Sequence, residues 1–445
     1  MKNLLLSLFV FLLIPTCLAQ GSFSFYQLGD FVPQTQNLNP AYIPANDITI
    51  SLPILNSSIQ TNTGFDLGDF FVRDSDDQLR LNFQELLKVS DETNNIDVGA
   101  TANLFLLQFK YKRASLSLFS NLRVESELQY TNDLIDLIAN GNLESIGSNL
   151  LLQEEINLTT YNEIGIAYAR SFAEENLVFG LRLKYLNGQF YAGSSGNSSL
   201  NIYTNPEDFT LGISAENVDI KTAGIKTLTA DQFDSQFPWQ YAQWTNNSGF
   251  GVDLGLTYKP TKELKFGFAI NDIGYINWRE YIQNYKVANK TKTISGEDLL
   301  ETGQPFEDIV EIVDGFFKEE ESFQEFRTKL NSRMYLNASY TLSKHNTFAF
   351  TAFNYSNLGR FRPSYALSYN WFSGQKITAG IITSFGGIIE NPRFGLNLAS
   401  NFGPVQLYAA TDNFLNLIQI GSSNGGDIRF GINILLGRTN SNSKS

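Results

Sequence analysis

The sequence predicts an all-β transmembrane barrel of the antiparallel up-and-down type, with about 14 to 16 strands and helical insertions in its long loops. Three observations predict it. Apolar and polar residues alternate at every second position, the connections between successive strands are short and long in turn, and the chain begins with an apolar leader. In the run 114–125, Leu116, Leu118, Leu122 and Val124 occupy one strand face, and mostly polar residues occupy the other. Successive strand side chains point to opposite faces, so one face is apolar and the other is hydrated.

The first residues predict export. Lys2 precedes the apolar stretch Leu4–Ile14, and Cys17-Leu18-Ala19 follows, which is the pattern of a signal peptide cleaved after Ala19. A lipoprotein acylated on Cys17 is the competing interpretation, which Pro15 and Thr16 disfavour. Cys17 is the only cysteine of the chain. Cleavage after Ala19 would therefore leave a mature protein without a disulfide or a thiolate metal site.

The predicted organisation has no internal linker. It comprises a signal peptide at 1–19, a periplasmic or plug segment at 20–46, a barrel at 47–438 and a polar tail at 439–445. An exported protein that crosses a membrane with strands is expected in a bacterial outer membrane, in contact with its lipid. The formal net charge of -13 disfavours nucleic acid as a partner, because phosphate binding needs clustered Lys and Arg.

The connections between strands predict which end of the barrel is which. Short turns follow even-numbered strands, and long insertions follow odd-numbered ones. Outer-membrane barrels place short turns in the periplasm and long loops outside. The short turns are at 110–113, 171–176, 259–263, 342–346, 373–375 and 401–404; the long insertions are at 56–96, 131–159, 221–247 and 290–331.

Two insertions carry helical periodicity. Apolar residues recur every three or four positions between Phe306 and Leu330, which predicts an amphipathic helix pair, and a second candidate runs from Asp133 to Leu152. Two interpretations stay open. These helices pack over the barrel mouth, or they form a docking surface for a protein partner.

Aromatic residues near strand ends favour a membrane barrel over a soluble β-sandwich, whose strands also alternate. Interfacial girdles of a barrel are rich in aromatic residues. The predicted girdle residues are Tyr111, Tyr168, Tyr185, Tyr258, Tyr340, Tyr355, Tyr369, Trp371 and Phe372.

Charged residues on the hydrated strand faces are the candidate lumen-lining residues. Inside a closed barrel they are expected either to pair with one another or to set the selectivity of a passage. The residues are Arg123, Glu163, Arg182, Lys184, Asp253, Lys265 and Arg429.

The sequence contains no constellation of catalytic residues, and no enzyme activity, cofactor or metal is predicted. His345 is the only histidine and falls in a predicted turn, where a solvated residue is expected. The Gly-rich stretches 193–196 and 422–426 lack the Lys-Ser/Thr pair of a phosphate-binding loop.

Two motifs resemble a family of uncharacterised outer-membrane barrels from bacteria with type IX secretion, and more distantly the PorV, PorP/SprF and FadL-like barrels. They are Gln36–Pro44, which reads QNLNPAYIP, and Asn271–Trp278, which reads NDIGYINW. The FadL-like resemblance implies that the rigid segment around Asn39, Pro40 and Pro44 plugs the lumen; a plain periplasmic leader is the alternative. The chain departs from many such barrels by lacking a terminal aromatic residue.

Two functions follow as hypotheses. The first is a secretion-associated or scaffold barrel that binds a partner, which the resemblance and the helical insertions favour. The second is a FadL-like passage or transporter for small, apolar solutes, which the small residues of the hydrated faces allow.

Overall fold

Long antiparallel strands close into a ring in the computed structural model, which describes residues 22–73, 79–173, 176–224, 244–295, 315, 321–357, 360–386, 389–419 and 423–437. The predicted signal peptide and polar tail lie outside these ranges, as does the span 306–314 of the predicted helix pair. The predicted fold class is confirmed: the molecule is all-β with a closed 14-strand antiparallel barrel.

The barrel wall begins with a divided strand. Residues Ile48–Ser51 (β1) and Ser57–Asn62 (β2) both pair with the second and the last wall strands, so they form one wall strand and close the ring. The other wall strands are β5 (Thr93–Tyr111), β6 (Ala114–Thr131), β8 (Glu155–Phe172), β9 (Leu177–Ser194), β12 (Ser248–Tyr258), β13 (Leu264–Trp278), β17 (Arg333–Ser343), β18 (Asn346–Asn357), β19 (Arg360–Ser373), β20 (Ile377–Gly386), β21 (Ile389–Phe402), β22 (Val405–Thr411) and β23 (Gly425–Leu436).

Short elements occupy the remaining connections. The strands are β3 (Phe71–Arg73), β4 (Leu79–Leu81), β7 (Asn149–Leu152), β10 (Ser199–Thr204), β11 (Leu211–Ala223), β14 (Asn284–Ile294), β15 (Glu321–Ser322) and β16 (Phe326–Lys329). The helices are α1 (Phe23–Tyr26), α2 (Leu67–Phe70), α3 (Phe83–Val89), α4 (Asn132–Asn140) and α5 (Phe414–Ile418), with 3-10 turns at Gly29–Phe31, Pro33–Asn37 and Leu143–Ser145. No helix among the described residues has the length and apolar character that a membrane crossing requires.

The alternation of side chains follows the prediction. In β6, Leu116 and Leu118 are exposed on the outer face, whereas Ser117, Asn121 and Arg123 are buried on the inner face. The outer face therefore carries an apolar band around the ring. Its exposed aromatic residues include Tyr111, Tyr168, Tyr258, Tyr340 and Trp371.

One predicted girdle residue points the other way. Tyr355 packs on the guanidinium of Arg333 at 5.6 Å and lines an interior cavity. The expectation that it belongs to an outer girdle is therefore wrong, because its position in β18 places it on the inner face.

The predicted short turns lie at one end of the barrel and the predicted long insertions lie at the other, which also holds the short connections from β18 to β19 and from β20 to β21. Tight turns join β5 to β6, β8 to β9, β12 to β13, β17 to β18 and β19 to β20. The insertion predicted at 56–96 is too long, since Ser57–Asn62 continue the first wall strand after a bulge at Ile54, whose φ is 64°.

The predicted helices are confirmed only in part. Within Asp133–Leu152, helix α4 is followed by a 3-10 turn and then by β7. Within Phe306–Leu330, the described C-terminal part is extended: β16 pairs with the end of β13, from Tyr275↔Lys329 to Trp278↔Phe326. The helix predicted there is wrong because the edge of β13 rises above the wall and offers unpaired backbone groups, which a neighbouring strand satisfies.

A small cap covers the long-loop end. Strands β7, β10, β11 and β14 pair in that order, and helix α4 packs on their apolar face through Leu137. Helix α3 packs beside α4 over Phe65, Phe70 and Tyr130. The cap therefore has its own apolar core and is a folded unit.

A half-buried carboxylate holds the start of α4. Glu154 accepts hydrogen bonds from the backbone N–H of Thr131 at 3.1 Å and from its hydroxyl at 2.8 Å. Burial raises the pKa of Glu154 to about 7, and the bonds from Thr131 partly oppose that shift. Because the folded-state pKa lies above the unfolded value, folding favours the protonated form, and the stability that Glu154 contributes is lost as pH rises from about 4.5 through about 7.

We expect the backbone amides of α4 to become less protected as pH rises over that window. Hydrogen exchange, corrected for its intrinsic pH dependence, measures this in the folded barrel. In the variant Glu154→Gln, the protection of these amides is expected to depend little on pH. Equal pH dependence in both proteins would contradict the assignment to Glu154.

Candidate functional site

Residues 22–42, termed the interior segment, lie inside the barrel. The segment is buried over most of its length, and its hydrogen bonds reach strands all around the ring. Gln36 accepts from Ser117 of β6 at 2.9 Å, Gln27 donates to Thr351 of β18 at 2.8 Å, and Gln34 donates to Asn433 of β23 at 2.6 Å. A buried chain bonded to opposite walls of a closed ring occupies its lumen.

Apolar packing holds the same segment. Phe23 meets Phe353 edge-on at 6.1 Å, Phe25 lies 5.5 Å from Tyr408, and Tyr26 stacks on Tyr335 at 5.0 Å between ring centroids. Burial also raises the pKa of Tyr26 to about 12, so its hydroxyl stays protonated. Phe23, Phe25 and Tyr26 thus form a small core with the inner strand faces.

The start of the segment is anchored at the end of β22. The backbone N–H groups of Phe23 and Ser24 donate to the carboxylate of Asp412, at 2.8 Å and 2.6 Å. Asn397 donates to the carbonyl of Ser24 at 2.9 Å. Asp412 therefore satisfies the free N–H groups at the start of helix α1.

The predicted motif residues form a tight turn against the wall. The side chain of Asn39 accepts from the N–H of Ala41 at 3.0 Å, and Asn271 donates to the carbonyl of Leu38 at 2.8 Å. Two wall glycines make room for the turn. A Cβ on Gly180 would lie 2.2 Å from the Pro40 backbone, and one on Gly255 would lie 2.3 Å from Asn39 Oδ1. Pro40 and Pro44 are both buried, which the motif alone did not predict.

Charged side chains from six consecutive wall strands, β6, β8, β9, β12, β13 and β17, meet beside this turn. The distances are 3.1 Å for Arg182–Asp253, 2.6 Å for Lys184–Asp253 and 3.7 Å for Arg123–Glu163, and Lys184 also pairs with Asp272. All of these residues are buried. The ion-pair cluster consists of Arg123, Glu125, Glu163, Arg182, Lys184, Asp253, Asp272 and Arg333.

Sequence analysis identified only part of this cluster, because a bulge changes the alternation. The β12–β13 register shifts between Val252 and Leu254, and Asp272 adopts a φ of 63°. The bulge turns both Asn271 and Asp272 inward, so a strict two-residue period misses Asp272. Glu125 lies on the predicted hydrated face, but its role depends on Arg333, which belongs to a distant strand.

Part of the cluster crosses the lumen. Arg333 of β17 pairs with Glu125 of β6 and lies 3.4 Å from Asp272, and Arg123 lies 3.3 Å from Asp272. Around the ring, β8, β9, β12 and β13 separate β6 from β17. The Arg333–Glu125 and Arg123–Asp272 pairs therefore bridge strands that share no backbone hydrogen bond, whereas Arg333–Asp272 joins the neighbouring strands β17 and β13.

Two of the predicted charges lie elsewhere. Lys265 is near the short-turn end, 3.3 Å from Asp30 and 4.8 Å from the ring of Tyr42. Arg429 donates to Gln60 at 3.1 Å and lies 5.8 Å from the ring of Phe25. Both contact the interior segment or the strands beside it, and neither joins the ion-pair cluster.

An interior cavity of ≈ 80 Å³ lies between the segment and the cluster. Its walls include Ser22 and Leu38 of the segment, and Arg123, Glu125 and Arg333 of the cluster. A volume of that size holds a few water molecules. The interior segment and the cluster therefore leave little space between them.

The wall is interrupted beside the start of the interior segment. Strand β22 ends at Thr411, which pairs with Leu396 of β21. Strand β21 begins seven positions before Leu396, at Ile389, so β22 does not reach the first part of β21. Helix α5 lies between β21 and β23 there, with Leu415 and Ile418 exposed.

The single histidine of the chain lies at the surface. His345 lies in the exposed turn between β17 and β18, with Nδ1 2.6 Å from the carbonyl oxygen of Phe372. Within the part of the chain that the structure describes, no three His, Cys, Asp or Glu side chains are arranged to hold a metal ion.

A polar groove crosses the cap. Its volume is ≈ 630 Å³, and it is lined by residues of β10, β11 and β14, among them Ser199, Glu216, Asp219 and Lys286. Asn197 and Glu216 are exposed at its rim.

Comparisons with solved structures find other barrels. The toluene transporter TodX of Pseudomonas putida is 10% identical, with a TM-score of 0.42 over 90% of this chain and 93% of that chain. A FadL homologue of Pseudomonas aeruginosa is 11% identical, with a TM-score of 0.42 over 95% of this chain and 96% of that chain. The toluene transporter TbuX of Ralstonia pickettii is 8% identical, with a TM-score of 0.41 over 91% of this chain and 92% of that chain. The comparison with curated proteins gives no match.

Proposed function

The chain belongs to the family of unknown function DUF5723, whose model matches residues 40–412, and from that premise we propose that it is an outer-membrane barrel that acts as a scaffold for a protein partner. The barrel is closed by its own N-terminal segment, and its folded cap carries the partner. The observation that supports this proposal best is the occupied lumen: the buried interior segment is bonded to β6, β18 and β23, and the cavity between it and the ion-pair cluster has a volume of ≈ 80 Å³.

The outer face supports a membrane location. Leu116, Ile166, Leu367 and Leu398 are exposed on the outside of a closed ring whose inner face is polar. A water-soluble barrel would expose that band at a cost of about 25 cal/mol per Å² of apolar surface. Lipid removes that cost. The leader at 1–19 supports export to the outer membrane.

The cap supports a binding role. It has its own apolar core around Leu137, and its groove presents Glu216, Asp219 and Lys286 with backbone and amide groups. Polar grooves of this kind suit a protein segment that forms hydrogen bonds and ion pairs. The motifs Gln36–Pro44 and Asn271–Trp278 associate the scaffold with secretion of the type IX kind through their resemblance alone.

Membrane fractionation and affinity purification test this proposal. We expect the protein in the outer membrane, with heat-modifiable mobility on a denaturing gel, and with a stoichiometric partner after mild detergent extraction. The variant Asn197→Trp, which fills the groove, should lose the partner, whereas Glu207→Trp at the nearby hairpin tip should retain it. A soluble periplasmic protein, or a purified protein with no partner under crosslinking, would overturn the proposal.

A gated passage for small solutes is the second candidate, and the interrupted wall favours it. Where β22 ends, α5 and the bonds of Asp412 lie between the lumen and the outer surface among the described residues. Uptake of a small solute by vesicles that contain the purified intact protein would support the passage and count against the scaffold.

A further inference from the structure

We propose that the lumen is divided into a fixed half and a displaceable half, and that removing the interior segment opens a hydrophilic route through the displaceable half alone. The fixed half is bounded by β6, β8, β9, β12, β13 and β17. The displaceable half is bounded by β18 to β23, β1, β2 and β5. This inference holds for either proposed function, because it concerns what fills each half.

Above the Asn39 turn, which packs on β9 and β12, the wall strands fill the fixed half with their own side chains. Above the turn at Asn39, the ion-pair cluster forms one layer, and its members Arg182 and Asp253 are almost wholly buried. Closer to the long-loop end, Tyr161, Leu186 and Trp278 form a second, apolar layer. Neither layer contains a residue of the interior segment, so both remain when the segment leaves.

The displaceable half has many small side chains on its inner face, beside the larger Phe353, Ile382 and Tyr408. Ala366, Ala399, Ala410 and Thr378 are buried there, and they contact or lie beside the segment. The bulk in this half comes from the segment, whose Phe23 and Phe25 pack against Phe353 and Tyr408. Without the segment, small and hydroxyl-bearing side chains would face an open space.

The cross-lumen ion pairs form the boundary between the halves. Arg333 and Glu125 join β17 to β6, and the existing cavity lies on their displaceable side, between them and β2, β5 and β23. Gln60, Asp97 and Thr101 line that cavity. The route therefore has a polar lining, which suits small hydrophilic solutes and ions rather than aromatic hydrocarbons.

A buried guanidinium marks the route. Arg393 of β21 donates through Nη2 to the carbonyl of Gly386 at 3.2 Å, and its Nε and Nη1 have no hydrogen-bond partner among the described residues. Arg182 is equally buried but is paired with Asp253 in the fixed half. The two arginines thus provide matched probes of the two halves.

Single-channel recording in planar bilayers tests the proposal, with the barrel lacking residues 22–42. We expect steady conductance that the intact protein lacks. In that background, Arg393→Gln should shift the cation-to-anion permeability ratio by roughly twofold or more toward cations, because charged residues lining a pore set its selectivity. Arg182→Gln should leave the ratio unchanged. A shift with Arg182→Gln, or none with Arg393→Gln, would overturn the division.

A second measurement serves if the shortened barrel fails to fold, as judged by its heat-modifiable mobility. The full chain carries Asp412→Asn to weaken the anchor of the segment, together with a single Ala399→Cys or Leu186→Cys; Cys17 is the only native cysteine and lies within the predicted leader. We expect a hydrophilic thiol reagent to label the Ala399→Cys variant at least tenfold faster than the Leu186→Cys variant. Equal labelling rates, or faster labelling of Leu186→Cys, would overturn the proposal.

Discussion

Replacing Gly255 by valine is expected to expel the Asn39–Ala41 turn and the rest of the interior segment with it, which opens the displaceable half and makes the barrel leaky. A Cβ at this position would lie 2.3 Å from Asn39 Oδ1 and 2.7 Å from the N–H of Ala41. Atoms cannot approach so closely, and the wall strand is fixed by its ladder with β9 and β13. Overpacking of this kind costs about 1–3 kcal/mol or more. The turn is the part that can move.

Bilayer conductance and protease sensitivity of the segment measure the effect. The expected result is frequent openings, together with cleavage within residues 22–42 that the parent protein resists. Gly212→Val is the matched control, since a Cβ there meets nothing closer than 3.7 Å. A Gly255→Val protein that stays as silent and as resistant as the control would show that the turn does not close the lumen.

Replacing Asp272 by alanine is expected to cause the largest loss of stability of any single charge removal in the cluster. Asp272 pairs with Lys184, Arg123 and Arg333, and its own N–H donates to Asp253 at 2.7 Å. Its removal leaves an excess of buried cations. Breaking a buried pair from one side costs about 3–5 kcal/mol, because the remaining charge loses its partner.

Urea unfolding in detergent or lipid, followed by tryptophan fluorescence, measures that loss. Asp30→Ala is the control: the Asp30–Lys265 pair is partly exposed, and such pairs contribute about 0–1 kcal/mol. Adding Arg333→Met to Asp272→Ala should recover part of the loss, since it removes one unpaired cation. If Asp272→Ala and Asp30→Ala lowered the free energy of unfolding by similar amounts, water would have to screen the charges of the cluster.

The patterns that repeat along the chain were sufficient to predict the barrel. Alternation in strands such as β6 depends on each residue's own polarity, and the order of short and long connections depends on turn residues, so both are local properties. The helix predicted at Phe306–Leu330 failed in its described part, because the pairing of β16 with β13 depends on an edge that the local sequence does not reveal.

The contents of the lumen needed the tertiary structure. The sequence determined the alternation, the parity of the connections and the presence of charges on the inner faces. Only the closed ring decided that Arg333 meets Glu125 across the lumen, that a bulge turns Asp272 inward, and that Gly180 and Gly255 make room for the Asn39 turn. Each of these contacts joins residues far apart in the chain, and its geometry follows from ring closure and strand register, which no local pattern encodes.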